Sequence, residues 1–344
     1  MKVLHVLNSR IYSGAEKVVC QIIHMFSGET EMVYCSPYSE IVENMLKLEQ
    51  VEYRPVSTLL PGELRKIIEK EQPDVIHAHD MRASFVSALC CGNIPLVSHI
   101  HNNAYDSRGL SAKSIAYLLA GFKAKHILWV SRSSFEGYFF HKLFAKKSSV
   151  LFNIIDLQQV YDKRDQDMAS YDYDTIYIGR LTYQKNPQRL MRLCALMKQY
   201  KPDIRMAVVG TGELEEETKV LCEELGLQEN VHFLGFQSNP MKIIHDSKSL
   251  ILPSRWEGTP MCALEAMALG VPVVSTPTDG LVDLLEEGKT GFLSDEDSVL
   301  AQRVAQLATD AALRQQMSRE AAQKAVQIND AEAYKQAVAV WYHS

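Results

Sequence analysis

The chain contains 344 residues, of which 47% are apolar and 23% are charged, and it carries a formal net charge of −6. This length exceeds what one hydrophobic core usually serves, so two domains are expected. The overall negative charge and the absence of a stacking motif argue against nucleic-acid binding. The sequence has neither a run of about 18 apolar residues nor an N-terminal apolar segment long enough for a signal peptide, so a cytoplasmic protein is predicted.

Cysteine usage agrees with that compartment. The seven cysteines are odd in number, scattered, and without C-x-x-C spacing, a pattern typical of buried reduced thiols. They are Cys20, Cys35, Cys90, Cys91, Cys194, Cys222 and Cys262.

Along the chain, apolar runs typical of buried parallel strands alternate with helical stretches. In the first half, strands are predicted at residues 3–7, 32–35, 75–77, 96–100 and 127–130, and helices at 15–26, 40–48 and 63–70. In the second half, strands are predicted at residues 175–178, 205–209, 231–234, 249–252 and 273–274, and helices at 187–199 and 214–224. This alternation predicts βαβ units, and therefore an α/β fold of two Rossmann-like halves, each with a parallel sheet.

The stretch from Asp162 to Asp172 is polar and lacks periodicity, which is typical of a linker. We therefore predict a first domain over residues 1–157 and a second over residues 158–330. Residues 331–344 form an amphipathic segment, which is predicted to be a helix that packs back on the first domain.

The block Trp256 to Gly270 contains the strongest local signal. Thr259 is predicted as the N-cap of a short helix, with Pro260 at its first position and Gly270 at its C-cap. A helix that opens after Gly258 presents backbone amides and the positive end of its dipole, which is a ready site for an anion such as phosphate.

Two carboxylates bracket the start of this helix. Glu257 precedes it and Glu265 lies on it, so the two side chains can accept hydrogen bonds from separate hydroxyl-bearing parts of one ligand. The alternative is that both are solvated helix-end residues. The apolar strands on either side favour a ligand site, because ligands of open α/β sheets gather at the carboxyl ends of strands.

Two cations follow the strand at residues 175–178. Arg180 and Lys185 lie between the strand end at Gly179 and a helix start, and together they form a plausible clamp for a diphosphate. Surface solvation is the alternative. Two glycine turns add weaker signals: Gly210 follows the next strand, and Gly14 lies where backbone amides would approach a phosphate.

Four histidines end two predicted strands of the first half: His77, His79, His99 and His101. An H-x-H pair on a strand places both imidazoles on one face, yet no cysteine or glutamate completes a defined ligand set, so no metal is predicted. We interpret His101 as facing the ligand and donating hydrogen bonds at the reacting centre. For His77 and His99, a satisfied buried histidine is the favoured interpretation.

The charge is unevenly distributed. Residues 1–156 carry 17 basic and 15 acidic side chains, whereas residues 157–344 carry 19 and 27. The segment from Arg108 to Lys147 holds eight basic side chains and the single acid Glu136, interleaved with aromatic and aliphatic residues. Such a face can rest on anionic lipid, and a solvated basic face over an ordinary core is an equally weighted alternative.

Taken in order, these motifs resemble those of the retaining glycosyltransferases of family four, which have the GT-B fold. The residues that carry the resemblance are Gly14-Ala15-Glu16-Lys17, His101, Gly179-Arg180 with Lys185, Val231 to Gly235, and Glu257 with Glu265. The resemblance implies two Rossmann-like domains that face a central cleft, with the C-terminal helix crossing back to the first. A nucleotide diphospho-sugar would bind mainly to the second domain and the acceptor to the first.

The resemblance also implies a role for each matched position. Arg180 and Lys185 would hold the diphosphate, Glu265 the ribose hydroxyls and Glu257 the donor sugar, which His101 would also contact. The remaining donor-binding positions are Gly14 near the distal phosphate, Gly210, the backbone around Phe236 near the base, and Gly258, Thr259, Pro260 and Met261 through their backbone.

The implied activity is a hexosyl transfer with retention of anomeric configuration, without a protein nucleophile, a metal or another cofactor. A UDP-sugar is the favoured donor, and a glycan or lipid-linked acceptor of surface polysaccharide biosynthesis is the implied partner. The protein would then lie at the inner face of the cell membrane. Two departures from the family pattern are Ser13-Gly14 in place of two glycines and Thr278 to Asp283 in place of a G-G-x-P-E-like turn.

Four other functions are possible. One is a catalytically silent sugar-nucleotide binder, which is disfavoured by the presence of His101, Arg180, Lys185 and Glu257. A nucleotide-sugar epimerase of the 2-epimerase type shares the architecture and is the main alternative. A metal-dependent transferase needs an Asp-x-Asp at the end of an apolar strand, and none of the acidic pairs lies in that position. A dehydrogenase is disfavoured because no G-x-G-x-x-G follows the first strand.

Overall fold

The computed structural model describes residues 1–101 and 107–343, without the side chain of Asp279. The chain forms two compact units, Met1–Ile154 with Asp330–Ser344, and Ile155–Asn329. Each unit contains one parallel sheet with helices packed on it, which confirms the predicted α/β class with two Rossmann-like halves. No helix among these residues is both long and apolar enough to cross a lipid bilayer.

The first unit has a seven-stranded parallel sheet in the order β3-β2-β1-β4-β5-β6-β7. Its strands are β1 Lys2–Val6, β2 Glu31–Pro37, β3 Tyr53–Val56, β4 Val75–Ala78, β5 Leu96–Ile100, β6 His126–Trp129 and β7 Ser148–Val150. Its first helices are α1 Gly14–Met25, α2 Glu40–Leu48, α3 Pro61–Glu71, α4 Met81–Ala88, α5 Ala112–Lys123 and α6 Arg132–Glu136, followed by a 3-10 helix at His141–Lys147.

The second unit has a six-stranded parallel sheet in the order β10-β9-β8-β11-β12-β13. Its strands are β8 Thr175–Ile178, β9 Met206–Val209, β10 Val231–Gly235, β11 Leu250–Leu252, β12 Val273–Ser275 and β13 Gly291–Leu293. Its helices are α7 Leu157–Gln166, α8 Pro187–Tyr200, α9 Glu215–Glu224, α10 Met241–His245, α11 Met261–Ala268, α12 Asp279–Leu284, α13 Asp297–Thr309 and α14 Ala311–Ile328.

Helix α7 corrects the predicted linker. Residues 162–166 are helical and are not part of an irregular connection. The Asp156 side chain accepts a hydrogen bond from the Gln159 amide at 2.9 Å, which fixes the start of the helix, and Val160 is buried against the second unit. The Asn239 side chain also donates to the Lys163 carbonyl at 2.6 Å, so a cap and tertiary contacts stabilise a helix that the polar composition does not indicate.

The last helix, α15 Ala331–His343, belongs to the first unit. The Tyr342 hydroxyl lies 2.7 Å from Nδ1 of His77, and the Trp341 ring stacks on His126 with 3.4 Å between centroids. The Lys335 ammonium pairs with Glu29 at 2.6 Å. These contacts cover one face of the first sheet with residues that come from the end of the chain.

All seven cysteines are free, and six of them are buried, which confirms the predicted reduced thiols. Cys90 is the partly exposed one. Burial raises the pKa of Cys35 and of Cys194 to about 12, so neither thiol is ionised at neutral pH.

The two sheets share one strand order, in which the first strand of each unit lies between its second and fourth strands. The direction of winding therefore reverses between β1 and β4 in the first unit and between β8 and β11 in the second. Loops that leave the carboxyl ends of such a pair of strands diverge and open a crevice, where ligands of doubly wound sheets bind. Predicted site residues lie at both switches: Gly14 follows β1 in the first unit, and Lys185 and Glu257 follow β8 and β11 in the second.

Candidate active site

Helix α11 begins one residue later than predicted. Pro260 is its N-cap with an extended ψ of 120°, so Thr259 lies before the helix and is not its N-cap. The Pro260 carbonyl accepts from the Ala263 amide at 3.0 Å, which closes the first turn. At the other end Gly270 follows the cap residue with a φ of +72°, and its Schellman-type bonds explain the predicted stop.

The turn that precedes α11 is held by close backbone packing. A Cβ added to Gly280, in α12, would come 1.5 Å from the carbonyl oxygen of Gly258. Only glycine therefore allows α12 to approach this turn. The segment from Thr278 to Asp283, noted as a departure from the family pattern, thus supports the Glu257-Gly258 turn directly.

Lys185 and Glu257 form an ion pair at the switch between β8 and β11. The Lys185 ammonium lies 2.6 Å from Oε1 of Glu257, and their side chains are 13% and 4% exposed. The Ser254 hydroxyl donates to the same oxygen at 2.6 Å. The sequence predicts that the two charged residues bind different parts of a ligand. It does not predict Ser254, whose signal is its position just after β11.

Arg180 differs from Lys185 in its surroundings. Its side chain is exposed, and within the described ranges no hydrogen bond or ion pair engages its guanidinium. The Tyr177 hydroxyl donates to its carbonyl at 3.0 Å and fixes the backbone of the turn. The site therefore combines a neutralised ammonium with a cation that is available to an incoming anion.

Gly210 supports the Arg180 turn through close packing. A Cβ at Gly210, where φ is +130°, would lie 2.1 Å from the Gly179 carbonyl oxygen, and one at Gly212 would lie 2.4 Å from that of Leu181. The turns after β8 and β9 thus pack backbone to backbone. The structure supplies a packing reason for the G-x-G spacing, and direct contact of Gly210 with a ligand stays a prediction.

A second set of contacts, which the sequence did not suggest, joins the loop after β8 to the loop after β11. The Gln184 side chain donates to the Trp256 carbonyl at 3.0 Å, and the Arg255 amide donates to the Gln184 carbonyl at 2.8 Å. The Arg255 guanidinium lies 4.3 Å from the centroid of the Tyr183 ring. These contacts fix the loops that carry Lys185 and Glu257.

The other predicted donor-binding residues of the second unit differ in their exposure. Glu265 is 4% exposed and Thr259 is 5% exposed, whereas Phe236, which follows β10, is 47% exposed. Met261 begins a helix whose eight residues are all buried. A buried carboxylate on an otherwise apolar helix is not a solvated helix-end residue, so that alternative for Glu265 is wrong.

In the first unit, Gly14 is the first residue of α1. The preceding Ser13 donates to Oε2 of Glu16 from both its amide and its hydroxyl, each at 2.8 Å. Across the switch between β1 and β4, the Asn8 amide donates to Asp80 at 2.6 Å. Burial raises the pKa of the Glu16 carboxyl, although the hydrogen bonds from Ser9 and Ser13 oppose that shift.

His101, which is partly exposed, ends a cluster of histidines on one face of the first sheet, and the other four rings are buried. Its Nε2 lies 3.0 Å from Nδ1 of His79, whose Nε2 lies 2.9 Å from Nδ1 of His5. Sequence reasoning missed His5, which is hidden in the apolar strand β1. His77 and His99 stack beside them, with ring centroids 5.4 Å apart.

The cluster is buried but not fully hydrogen-bonded. Nε2 of His77, both ring nitrogens of His99 and Nδ1 of His101 are buried and have no hydrogen-bond partner among the described residues. The expectation of satisfied histidines at positions 77 and 99 is therefore wrong for these atoms. Burial lowers the pKa of His5 and of His101 to about 3, and that of the other three well below the ordinary value.

Two groups of three histidines have ligand atoms within 4.8 Å of one another, and they share His79. The groups are His5, His77 and His79, and His79, His99 and His101. The sequence had offered only two H-x-H pairs, because it did not indicate that β1 contributes a fifth ring to the same face.

Two protein-family models match the chain. Glycosyltransferase Family 4 matches residues 33–159, and Glycosyl transferases group 1 matches residues 162–324. The chain therefore belongs to glycosyltransferase family 4, with the GT-B arrangement of two Rossmann-like domains.

Named relatives agree with this family. The chain is 32% identical over 154 residues to the Campylobacter jejuni N-acetylgalactosamine-N,N'-diacetylbacillosaminyl-diphospho-undecaprenol 4-alpha-N-acetylgalactosaminyltransferase, a match that covers 44% of this chain and 41% of that protein. It is 24% identical to the Staphylococcus aureus capsular polysaccharide biosynthesis glycosyltransferase CapH, over 80% and 81% of the two chains. The chain spans about half the length of several other curated relatives that it matches.

A solved structure of similar fold is that of Anabaena HepE in complex with UDP and glucose. The TM-score is 0.86 over 100% of both chains, at 21% identity. At this identity the likeness shows the fold, and it covers both units.

Proposed function

We propose that this protein is a retaining glycosyltransferase that moves a hexose from a nucleotide diphospho-sugar, with UDP as the favoured nucleotide, to a glycan or lipid-linked acceptor of surface polysaccharide biosynthesis. No metal ion takes part in the proposed reaction. The relatives' names support an undecaprenol-linked or capsular product, and the HepE complex supports UDP and glucose as ligands of this fold.

The observation that carries the proposal is the Lys185–Glu257 pair at the strand switch of the second unit. A buried pair is costly unless its remaining hydrogen-bonding capacity is used. Both hydrogen bonds on the Glu257 carboxylate described above fall on Oε1. We assign Oε2 to a hydroxyl of the donor sugar and the remaining ammonium hydrogens of Lys185 to the diphosphate.

The same residues stabilise the negative charge that develops during transfer. The bond between the anomeric carbon and the diphosphate oxygen breaks, and a bond from that carbon to the acceptor oxygen forms on the same face of the sugar. The acceptor proton passes to the departing diphosphate. Arg180, Lys185 and the start of α11 stabilise the negative charge on this leaving group, which is the largest electrostatic requirement of the step.

The epimerase alternative receives no support from the relatives, whose names are those of transferases. An epimerase returns its nucleotide sugar as product, whereas a transferase releases free nucleotide when an acceptor is supplied. Product analysis therefore separates the two.

We also propose that the first unit contacts anionic membrane through the Arg108–Lys147 segment. Helix α5 exposes an apolar stripe formed by Ile115, Leu119 and Phe122, which are 52%, 49% and 63% exposed. Leu143 on the adjacent 3-10 helix is 60% exposed. Apolar side chains next to exposed lysines are typical of surfaces that rest in the lipid interface.

The transfer proposal is tested by incubating the protein with UDP-, GDP- and ADP-sugars and an undecaprenyl-diphosphate-linked acceptor, with and without chelator. We expect UDP release and an anomeric configuration in the product that matches the donor. Glu257→Gln should lower turnover strongly with little change in UDP affinity, and Arg180→Ala should weaken both. Arg192→Ala, an exposed arginine on α8, is the control. Unchanged turnover in Glu257→Gln would show that its assigned role is wrong.

The membrane proposal is tested by sedimentation with vesicles that contain or lack phosphatidylglycerol. The double variant Leu119→Ser with Phe122→Ser should lose most of the binding to anionic vesicles. Leu48→Ser, which removes a leucine 73% exposed on α2, is the control. Equal sedimentation of all three proteins would contradict the proposal.

A further inference from the structure

Three hydrogen bonds connect His101 to a methionine on the second strand. His101 Nε2 lies 3.0 Å from His79 Nδ1, and His79 Nε2 lies 2.9 Å from His5 Nδ1. His5 Nε2 then lies 3.3 Å from Sδ of Met32. We call these four side chains the thioether relay.

The sulfur gives the relay a direction. A thioether accepts hydrogen bonds and has no proton to donate, so His5 must donate from Nε2. A neutral imidazole carries one N–H, so Nδ1 of His5 is an acceptor and His79 must donate from its Nε2. By the same step Nδ1 of His79 accepts, and His101 donates from Nε2.

The relay has this direction only when all three rings are neutral. His5 and His79 are fully buried, and burial lowers the pKa of His5 and of His101 to about 3. Burial likewise holds the pKa of His79 well below its ordinary value, and the neighbouring histidines add to this effect. At neutral pH each ring therefore has one donor and one acceptor nitrogen.

We propose that Met32, His5 and His79 are positioning residues that hold His101 in its Nε2–H tautomer, so that Nδ1 of His101 can only accept a hydrogen bond. Nδ1 is buried and has no partner among the described residues. An unpaired buried acceptor is costly, and a hydroxyl donor would satisfy it. Resting on the proposed function, we assign that donor to a hydroxyl of the transferred sugar, in contrast to the donor role predicted for His101 from sequence.

A metal ion is the competing occupant of these atoms, because both groups of three histidines include His79. Coordination would take the lone pairs of His5 and His79 and abolish the relay. Two nitrogens that bind one ion tetrahedrally at 2.0–2.1 Å lie about 3.3 Å apart, whereas the paired ring nitrogens here lie 2.9 Å and 3.0 Å apart, as in hydrogen bonds. The hydrogen-bonded arrangement therefore accounts better for the observed distances.

The relay is tested by nuclear magnetic resonance of the full chain labelled with 15N-histidine. Long-range 1H–15N spectra distinguish a protonated ring nitrogen from a bare one, and single His→Gln variants assign His5, His79 and His101. We expect Nε2–H in all three rings. A protonated Nδ1 on His101, or a stoichiometric metal in the purified protein, would overturn the proposal.

Met32→Leu removes the sulfur at similar volume. We expect His5, His79 and His101 to become tautomer mixtures, because nothing then fixes the direction of the chain. Met45→Leu, at a buried methionine of helix α2 that bonds to no histidine among the described residues, should leave the spectrum unchanged. Persistence of a single tautomer in Met32→Leu would contradict the relay, and if that variant does not fold, the wild-type spectrum still decides.

Turnover tests the consequence separately. His79→Leu should lower kcat/KM for the donor by about tenfold or more. His79→Gln should recover most of it, because an amide can both donate to His5 and accept from His101. Donor analogues that lack one hydroxyl at a time should identify the hydroxyl that His101 contacts. Loss of that hydroxyl should lower kcat/KM in the wild type and leave it unchanged in His101→Ala. If the protein transfers no sugar the proposed function fails, while the spectra still test the relay.

Discussion

The switch points of the two sheets have the same strand order and different chemistry. In the first unit, Asp80 accepts hydrogen bonds from the Asn8 and Ala83 amides, each at 2.6 Å, and neutral imidazoles line the adjoining sheet face. In the second unit, the Lys185–Glu257 pair joins the two diverging loops, and Arg180 is exposed beside them.

The charge at each switch does not follow the net charge of the half of the chain that contains it. The first 156 residues carry a net charge of +2 and the rest a charge of −8, yet the cationic site lies in the acidic half. Net charge averages over a whole surface, whereas a binding site depends on a few groups held at one edge of a sheet. The strand order provides the position, and the loops determine the chemistry there.

The largest expected effect is a difference in acid stability between the two units. Six histidines of the first unit have a lowered pKa because of burial: His5 and His101 near 3, His126 near 4, and His77, His79 and His99 well below normal. Below about pH 6.5 the unfolded chain binds protons that the folded unit does not. The stability of the folded first unit therefore decreases as the pH is lowered. At pH 5.5 each of these histidines lowers the free energy of unfolding by up to about 1.4 kcal/mol.

Two carboxyls of the first unit, Glu16 and Asp80, act in the opposite direction because burial raises the pKa of each. In the second unit, Lys248 and other partners lower the pKa of Asp174 against the effect of burial, and that stability is lost only below about pH 3.8. Hydrogen exchange between pH 7.5 and 5.5 should show loss of protection in the first unit before the second. Parallel loss in both units would contradict this comparison.

The next effect concerns the ion pair of the second switch. Lys185→Ala leaves a buried carboxylate without its partner, which costs about 3–5 kcal/mol, and turnover should fall at least about 100-fold. Lys185→Met combined with Glu257→Gln should restore the thermal stability and not the turnover. If the double variant regained activity, the pair would serve the fold alone.

Gly280→Ala tests the packing behind that pair. The added carbon would overlap the Gly258 carbonyl, so the turn must shift, with a stability loss of about 2–3 kcal/mol and weaker UDP binding. Gly62→Ala, on helix α3 of the first unit with open space at its Cβ, is the matched control and should be neutral or stabilising. UDP titration and thermal melts of both variants provide the measurement, and equal behaviour would contradict the packing argument.

The smallest effect is expected at Arg255. Its guanidinium lies over Tyr183 at 4.3 Å and donates to Asn186 at 3.1 Å, but the residue is exposed. Arg255→Ala should cost about 1 kcal/mol or less. Thermal denaturation measures this loss, with Arg192→Ala as the exposed control. A loss comparable to that of Lys185→Ala would show that loop attachment, and not the ion pair, governs this site.

Local sequence patterns predicted the fold class and most strands correctly, and they selected Arg180, Lys185, Glu257 and Glu265 as candidate site residues. These features are local: a buried parallel strand is an apolar run, and a helix start or a glycine turn is encoded within a few residues. Where local signals were weak, prediction failed by small amounts, as with the start of α11 at Met261 and the helix α7 inside the predicted linker.

Which of these residues become partners depends on the tertiary fold. Lys185 and Glu257 are 72 residues apart, His5 and His79 are 74 apart, and Tyr342 contacts His77 across 265 positions. Sequence patterns with periods of 2 or 3.6 residues contain no information about such pairs. Pairing depends on which strands become neighbours in the sheet, and there a buried charge or an imidazole acquires its partner, its protonation state and the direction of its hydrogen bond.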